Sequence, residues 1–382
     1  MQTNDLNEGR LRELASLRPD GARVLSVFLN LDPQEFAQAP ARATEIESVL
    51  DDAERRVREA NDNLPHEQKL ALRGDVERTR EFLKGADFKG AHGFVVYASG
   101  PADLFQALRL PRPVITRAVI DDSPFIEPLV EICQKGSWAV ILVNRKVGRM
   151  FRGSPERLDE LRAVEDDVPG RHQQGGLSQA RYQRSIDEDV RDHYKNVADA
   201  AFRRFQSSPF DRLLIGGPGE DVAEFEGRLH SYLRERIAGR VEVDVESATA
   251  DQVLAAARAD MEAVDRKLED ESLERLRQGL ATGGRAVAGL DDTLQALNER
   301  RVEILLLADG FDAAGTSCPQ CGWVGTPEHT TCPADGTKLE SRDSLAESAL
   351  ELAIEQSAQV LRVRGAAGEI ESHGGIAAVL RF

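Results

Sequence analysis

Short apolar segments rich in β-branched residues recur along this chain, and they restrict its fold more than any other feature. Each contains four to eight residues between polar or Gly- and Pro-containing turns, which is typical of buried strands. The segments are Val24–Leu31, Gly93–Ala98, Trp138–Val143, Arg212–Ile215, Val302–Leu307 and Gln359–Val363. Charged segments with apolar residues at helical spacing separate them, among them Arg42–Asn61, Tyr182–Phe205 and Ala250–Leu280. Strands that alternate with helices predict an α/β fold class.

Two breaks in this alternation predict three domains. A Pro-punctuated connection at residues 111–130 ends the first domain, and Gly283-Gly284 interrupts the longest helical segment. We therefore expect an N-terminal α/β domain at 1–132, a middle βα-alternating domain with a largely parallel sheet at 133–282, and a C-terminal α/β/α sandwich at 283–382. A chain of 382 residues, 41% of them apolar, can give each domain a core.

The net charge and the number of cysteines restrict the partners that the protein can bind and the compartment in which it works. The formal net charge of -17 argues against indiscriminate binding to nucleic acid, which depends on clustered Lys and Arg, although a local basic patch is compatible with it. Four Cys suit a reducing compartment, and the sequence has neither a signal-peptide pattern nor a run of about 18 apolar residues. We expect a cytoplasmic protein that does not bind membranes.

Residues 171–184, with the sequence RHQQGGLSQARYQR, form an unusual polar segment. They contain three Arg, four Gln and two adjacent Gly but no acidic residue. Glycine lets a backbone approach another surface closely, and amide and guanidinium groups donate to phosphate without a repelling carboxylate. An apolar stripe at helical spacing follows, formed by Tyr182, Ile186, Val190, Tyr194, Val197, Ala201 and Phe205. We predict a polar loop on a helical stem, directed at an anionic target; the alternative is a surface loop without a partner.

Three of the four cysteines lie near the C-terminus in a spacing that predicts a metal site. Cys318-Pro-Gln-Cys321 places two thiolates on one tight turn, and Cys332-Pro-Ala-Asp335 repeats the pattern with a carboxylate in the last position. Zinc accepts four such ligands in a tetrahedron, and a closed set of four is structural. We expect a structural zinc on these four residues, in an insertion at 316–338. His329 is the second choice for the fourth ligand, and a ribbon without metal is the alternative.

Together, the Gly-Gly loop, its stem helix and the Cys-containing insertion resemble the superfamily of archaeo-eukaryotic class 1 release factors and Pelota. The resemblance is to its bacterial and archaeal branch, with the Balon-like proteins, and covers most of residues 134–382. It is carried by Gly175, Gly176, Ser178, Arg181 and Tyr182. It implies a middle domain whose loop enters the ribosomal peptidyl transferase centre, and a C-terminal sandwich that often bears a zinc-ribbon-like insertion.

The resemblance also implies partners and contacts. The partners would be ribosomal RNA of the peptidyl transferase centre and the acceptor end of tRNA, with a translational GTPase as a further partner that the sequence does not identify. The RNA contacts would come from Arg171, His172, Ser178, Arg181 and Arg184. For His172, a general base and a solvent-exposed side chain are the alternatives.

Two departures from the family pattern bear on chemistry. Leu177 stands where the family has Gln after Gly-Gly, while Gln179 could substitute for it, as in tRNA-cleaving relatives with a Gly-Gly-x-x-Gln pattern. Residues 1–132 contain no Asn-Ile-Lys-Ser tetrapeptide of the kind associated with stop-codon reading. One hypothesis is therefore a ribosome-binding rescue or hibernation factor that performs no chemistry and reads no stop codon. The other is a peptidyl-tRNA hydrolase or tRNA-cleaving enzyme acting through Gln179, on a loop formed by Gly175 and Gly176.

Overall fold

The computed structural model describes residues 4–19, 21–36, 39–59, 64–89, 91–134, 136–165, 179–342, 344–364 and 367–382. They form two units: unit 1 contains residues 1–134 and 268–382, and unit 2 contains residues 135–267. All six apolar segments named above form strands, which confirms the α/β fold class. The division into three domains stays a prediction.

The N-terminal part of unit 1 is a five-stranded sheet, and both of its faces pack against other elements of the unit. Its elements are β1 (Asn4–Asp5), α1 (Glu8–Ala15), β2 (Val24–Asn30), α2 (Pro33–Phe36), α3 (Ala39–Glu59), α4 (His66–Lys84), β3 (Gly93–Ser99), β4 (Leu104–Leu110), β5 (Arg117–Asp121) and α5 (Glu127–Gln134). The strand order is β1-β4-β3-β2-β5, antiparallel except for β1 with β4. Helices α3 and α4 cover one face through Leu50, Val57 and Leu72. Strand β5 lies within the Pro-punctuated stretch, so our interpretation of 111–130 as connection alone was wrong.

Unit 2 is a five-stranded mixed sheet. Its elements are β6 (Trp138–Val143), β7 (Val147–Ser154), β8 (Arg157–Glu165), α6 (Gln179–Ser207), β9 (Arg212–Gly216), α7 (Gly219–Glu226), α8 (Ser231–Arg234), β10 (Ile237–Val241) and α9 (Ala250–Thr282), of which residues from Leu268 onward belong to unit 1. The order is β10-β9-β6-β7-β8, with β10, β9 and β6 parallel and β7 antiparallel to both of its neighbours. The prediction of a largely parallel sheet therefore holds for only half of it. Short turns join β6 to β7 and β7 to β8, and strands joined by such turns must run antiparallel.

Helices cover both faces of the unit 2 sheet. On one face α6 and α7 pack on the strands through Tyr194, Val197 and Phe225, which are fully buried. On the other face α9 contributes Val253 and Met261 to a second core. The sheet thereby fixes α6, which is the helix that follows the predicted loop.

The C-terminal part of unit 1 is a four-stranded sheet with an insertion. Its elements are β11 (Ala286–Ala288), α10 (Leu290–Asn298), β12 (Val302–Ala308), β13 (Gly315–Ser317), β14 (Val324–Gly325), β15 (Glu340–Arg342), α11 (Ala346–Glu355), β16 (Gln359–Val363), α12 (Ala367–Glu371) and β17 (Ile376–Leu380). The order is β11-β17-β12-β16, while β13, β14 and β15 form a separate small sheet. Helices α10 and α11 pack on one face, and α12 with the end of α9 packs on the other. The predicted α/β/α sandwich is confirmed.

The two parts of unit 1 share one core. Phe28 and Tyr97 of the N-terminal sheet belong to the same cluster of buried side chains as Leu345 and Ala349 near and in α11. Ion pairs surround this core, including Arg342 with Asp122 and Arg364 with Glu131, at 2.6 and 3.1 Å. Among the helices in the described ranges, none has the length and apolar character that a membrane crossing requires.

Candidate functional site

The candidate metal centre is built on two turns of the same backbone form. In the first turn the amide of Gly322 donates to the carbonyl of Cys318 at 3.0 Å, and in the second the amide of Gly336 donates to that of Cys332 at 3.0 Å. Both glycines have positive φ, +76° and +77°, which glycine adopts without strain. Asp335 therefore occupies in the second turn the place that a cysteine has in the first.

The ligand atoms of Cys318, Cys321, Cys332 and Asp335 all lie within 4.8 Å of one another. The sulfurs of Cys321 and Cys332 are 3.5 Å apart, and the sulfur of Cys318 lies 3.4 Å from Asp335 Oδ2. Ligands at a zinc–sulfur distance of about 2.3 Å are separated by about 3.8 Å along the edge of a tetrahedron. The four predicted residues are thus brought together at a spacing that could hold a metal ion of this size.

Local hydrogen bonds favour negative charge at two of these positions. Burial disfavours the Cys318 thiolate, but amide donation from Cys321 and Gln320 to its sulfur lowers its pKa overall. The amide of Thr337 donates to Asp335 at 2.9 Å and holds the pKa of that carboxyl well below its usual range. Burial raises the pKa of the Cys321 thiol to about 12. A bound cation would reverse this effect on Cys321, because coordination to a metal deprotonates a thiol.

The rest of the insertion positions the cluster. The side chain of Asn298 in α10 donates to the carbonyl of Val324 and accepts from its amide, at 2.7 and 3.1 Å. His329, the second choice for the fourth ligand, is not part of the cluster; its ring lies edge-on to that of Trp323, 5.2 Å away. The insertion's own apolar cluster is small and includes two of the cysteines, so the ligands are also its core: Cys318, Cys332 and Leu339, with Trp323 against them.

The predicted loop lies largely outside the described residues. This applies to residues 166–178, and therefore to Arg171, His172, Gly175, Gly176, Leu177 and Ser178. Helix α6 begins at Gln179, so Gln179, Arg181 and Arg184 lie in its first two turns. The structure describes the backbone of these residues but not their side chains. The roles assigned to these residues from the sequence stay predictions.

The stem helix is held by specific contacts further along α6. Val190, Tyr194, Val197 and Ala201 of the predicted apolar stripe are buried, which confirms that part of the stripe. The hydroxyl of Tyr194 donates to Asp221 at 2.7 Å, and burial together with this bond raises the pKa of Tyr194 far above its ordinary value. Val197 packs so closely on Gly148 of β7 that a Cβ there would lie 2.4 Å from Val197 Cγ2.

We expect Gly148→Ala to lower the free energy of unfolding of unit 2 by about 1–3 kcal/mol, because the added methyl group overpacks the contact between β7 and α6. A double-mutant cycle with Val197→Ala should show that the two substitutions are coupled, since the smaller side chain makes room for the methyl group. The measurement is urea unfolding followed by Trp138 fluorescence with Trp323 changed to Phe, as the chain has two Trp. Gly219→Ala is the matched control, because a Cβ there meets nothing within 4 Å. Equal losses at both glycines would contradict this account.

Comparisons with known proteins cover most of the chain. Residues 124–262 match the family model described as Bacterial archaeo-eukaryotic release factor family 10. Peptide chain release factor subunit 1-1 of Methanosarcina acetivorans is 26% identical over 390 aligned positions, covering 89% of this chain and 93% of that protein. Subunit 1 of the Pyrococcus abyssi factor is 23% identical, with 98% and 96% covered. The solved structure of Archaeoglobus fulgidus Pelota is 19% identical and covers 76% of this chain and 79% of that one, with a TM-score of 0.29.

Proposed function

We infer that this chain, which belongs to the superfamily of archaeo-eukaryotic class 1 release factors and Pelota, is a translation factor that binds the ribosome. The observation that carries the inference is the match of residues 124–262 to a release factor family, because this range contains both the Gly-Gly segment and helix α6. Similarity to release factor subunits over 89% of the chain supports it.

The proposed site of action is the peptidyl transferase centre, with residues 171–184 as the segment that enters it. Helix α6 has 29 residues and would extend about 43 Å at 1.5 Å per residue, which suits a stem that carries a loop into a deep cavity. Gly175 and Gly176 would allow close backbone approach to RNA. Arg171, His172, Ser178, Arg181 and Arg184 would contact phosphates of ribosomal RNA and of the tRNA acceptor end, where such contacts position a protein.

The proposed role is ribosome rescue or hibernation by occupancy, without hydrolysis and without reading of a stop codon. Leu177 follows the two glycines, so the loop lacks the side-chain amide that the family has at this position. A translational GTPase is a further proposed partner, in the cytoplasm. We also propose that the cluster of Cys318, Cys321, Cys332 and Asp335 binds a structural zinc, because all four positions of a tetrahedron are then taken by protein ligands.

Ribosome co-sedimentation and a peptidyl-tRNA release assay test this function together. We expect the full-length protein to pellet with isolated ribosomes and to release no peptide above background. Substitution Gln179→Ala should leave both results unchanged, because occupancy needs no amide at this position.

Two outcomes would count against the proposal in different ways. Peptide release or tRNA cleavage that disappears in Gln179→Ala would establish the enzymatic hypothesis in place of occupancy. Failure to pellet with empty ribosomes, with ribosomes carrying peptidyl-tRNA and with ribosomes stalled on messenger RNA would exclude a ribosomal role altogether.

A further inference from the structure

Arg342 joins the insertion to the N-terminal sheet. It is the last residue of β15, and its Nε donates to the hydroxyl of Ser317 at 2.7 Å. The same guanidinium pairs with Asp121, the last residue of β5, and with Asp122 after it, at 3.3 and 2.6 Å. We call these three bonds the Arg342 contact. Ser317 directly precedes Cys318, so the contact connects the candidate metal centre with two carboxylates of the N-terminal sheet.

The two cysteine turns determine where Arg342 lies. Strand β13 ends at Ser317, directly before the first turn, and it pairs with β15, the strand that ends in Arg342. Strand β15 begins shortly after the second turn, which contains Cys332 and Asp335. The buried cluster of the insertion is small and consists largely of the cysteines themselves. Arg342 is therefore held in position only while the two turns are held together.

A second arginine of the N-terminal part lies beside the first turn. A Cβ added to Gly322 would be 4.0 Å from Arg18 Nε. Arg18 also pairs with Glu351 and Glu355 of α11, at 3.0 and 2.9 Å. In addition, Val324 of β14 belongs to the core that the two parts of unit 1 share. The insertion is thus packed between these parts and does not project from the sandwich alone.

Strand β5 is held weakly by its packing. It is an edge strand, and among the described strands it pairs with β2 alone. All five of its residues are described, and of these Ala118 is the one that is buried. Beyond its end, both carboxylate oxygens of Asp122 pair with arginines, Oδ1 with Arg23 at 2.6 Å and Oδ2 with Arg342. Isolated surface ion pairs contribute little to stability, but a network of several charges at a weakly packed edge contributes more.

We propose that the insertion is a metal-dependent fastening of the N-terminal sheet, in which the Arg342 contact holds the end of β5 only while the two cysteine turns are joined. This inference rests on the zinc proposed for the cluster and extends it, because a structural site then controls a strand outside the insertion. The two parts of unit 1 should not separate when the metal is lost, since the shared core around Phe28 and Leu345 remains. The expected change is local opening of β5, the strand that precedes α5 and unit 2.

Hydrogen exchange of the full-length protein, measured by mass spectrometry on peptides that cover β5, tests this fastening. Removal of the metal from the wild type with a chelator should speed exchange of β5 about 5- to 30-fold, as expected for the loss of charged hydrogen bonds that resist local opening. Zinc added back should restore slow exchange. Arg342→Gln should speed exchange of β5 to a similar extent with the metal still bound. Chelation of this variant should speed exchange in the insertion but add nothing at β5, because both changes act through one contact.

Arg364→Gln is the matched control. Arg364 also joins the two parts of unit 1, through an ion pair with Glu131 at 3.1 Å, but it lies outside the insertion. Strand β5 should therefore respond to chelation in this variant as it does in the wild type. Exchange of β12 in every variant shows whether the sandwich is intact.

The fastening is refuted if chelation speeds exchange in the insertion and leaves β5 unchanged, or if chelation of Arg342→Gln speeds exchange of β5 as much as in the wild type. Wild-type protein that holds no zinc would refute the zinc site and the fastening together. Bound zinc with an unresponsive β5 would refute the fastening alone. Neither result bears on ribosome binding, which co-sedimentation measures separately.

Discussion

Replacement of Cys332 by Ser should abolish binding of the proposed zinc and unfold the insertion, while the sandwich sheet around it stays folded. The expected loss is large, because structural zinc sites in small modules contribute about 10–16 kcal/mol of apparent binding free energy at neutral pH. The insertion has almost no other core, since Cys318, Cys332 and Leu339 make up its buried cluster. Metal analysis of protein purified without chelator should give close to one zinc per wild-type chain and none for the variant. The fluorescence of Trp323, measured with Trp138 changed to Phe, reports the local unfolding.

Two variants distinguish the ligands. Asp335→Cys completes a set of four cysteines on the same two turns and should retain zinc against stronger chelators than the wild type withstands. His329→Ala should keep the metal, because His329 lies outside the cluster and contacts Trp323 instead. A wild-type protein without zinc, or a Cys332→Ser variant that keeps it, would refute the site.

The stability of unit 1 should fall as pH rises from 5 to 8, because two buried carboxyls of α11, Glu351 and Glu347, have raised pKa values. Glu351 of α11 is 5% exposed, and burial raises its pKa to about 7 although Arg18, 3.0 Å away, favours the ionised form. A carboxyl whose pKa is higher in the folded than in the unfolded state contributes stability below the unfolded value of about 4.3, and this is lost as pH rises through the folded value. The difference between about 4.3 and about 7 corresponds to about 4 kcal/mol.

Glu347 also lowers the stability of unit 1 as pH rises. Glu347, one turn earlier on α11, accepts hydrogen bonds from the amides of Ile126 and Glu127 at the start of α5. Burial and the charge of Glu351 raise the pKa of Glu347 as well. The core shared by the two parts of unit 1 is therefore expected to be most stable at mildly acidic pH.

Urea unfolding at several pH values, followed by pulsed hydrogen exchange of the backbone amides of α11, measures this dependence. Glu351→Gln should flatten the profile and leave the variant more stable than the wild type at pH 8. Glu355→Gln is the matched control, because Glu355 lies on the same helix and pairs with the same Arg18 at 2.9 Å but is more exposed. A wild-type profile that is flat or rises between pH 5 and 8 would refute the assignment.

The strands and the cluster of Cys318, Cys321, Cys332 and Asp335 could be predicted from the sequence because their signals are local. Trp138–Val143 and Gln359–Val363 form β6 and β16 with the predicted bounds, since short apolar runs between turns have few other ways to be buried. The two Cys-Pro turns fix their own geometry through a following Gly. They therefore brought Asp335 rather than His329 to the cluster, as the spacing indicated.

Tertiary structure determined which strands pair and which distant elements pack together. The sequence alone determined that the chain alternates strands and helices, that α6 follows a Gly-Gly segment without acids, and that three cysteines and Asp335 recur on two similar turns. Each of these properties lies within a few consecutive residues or one helical period. Only the tertiary structure decided that the unit 2 sheet is mixed, that the two parts of unit 1 share one core through α11, and that Val197 packs on Gly148. These contacts join residues far apart in sequence, and no local pattern specifies which distant surfaces meet.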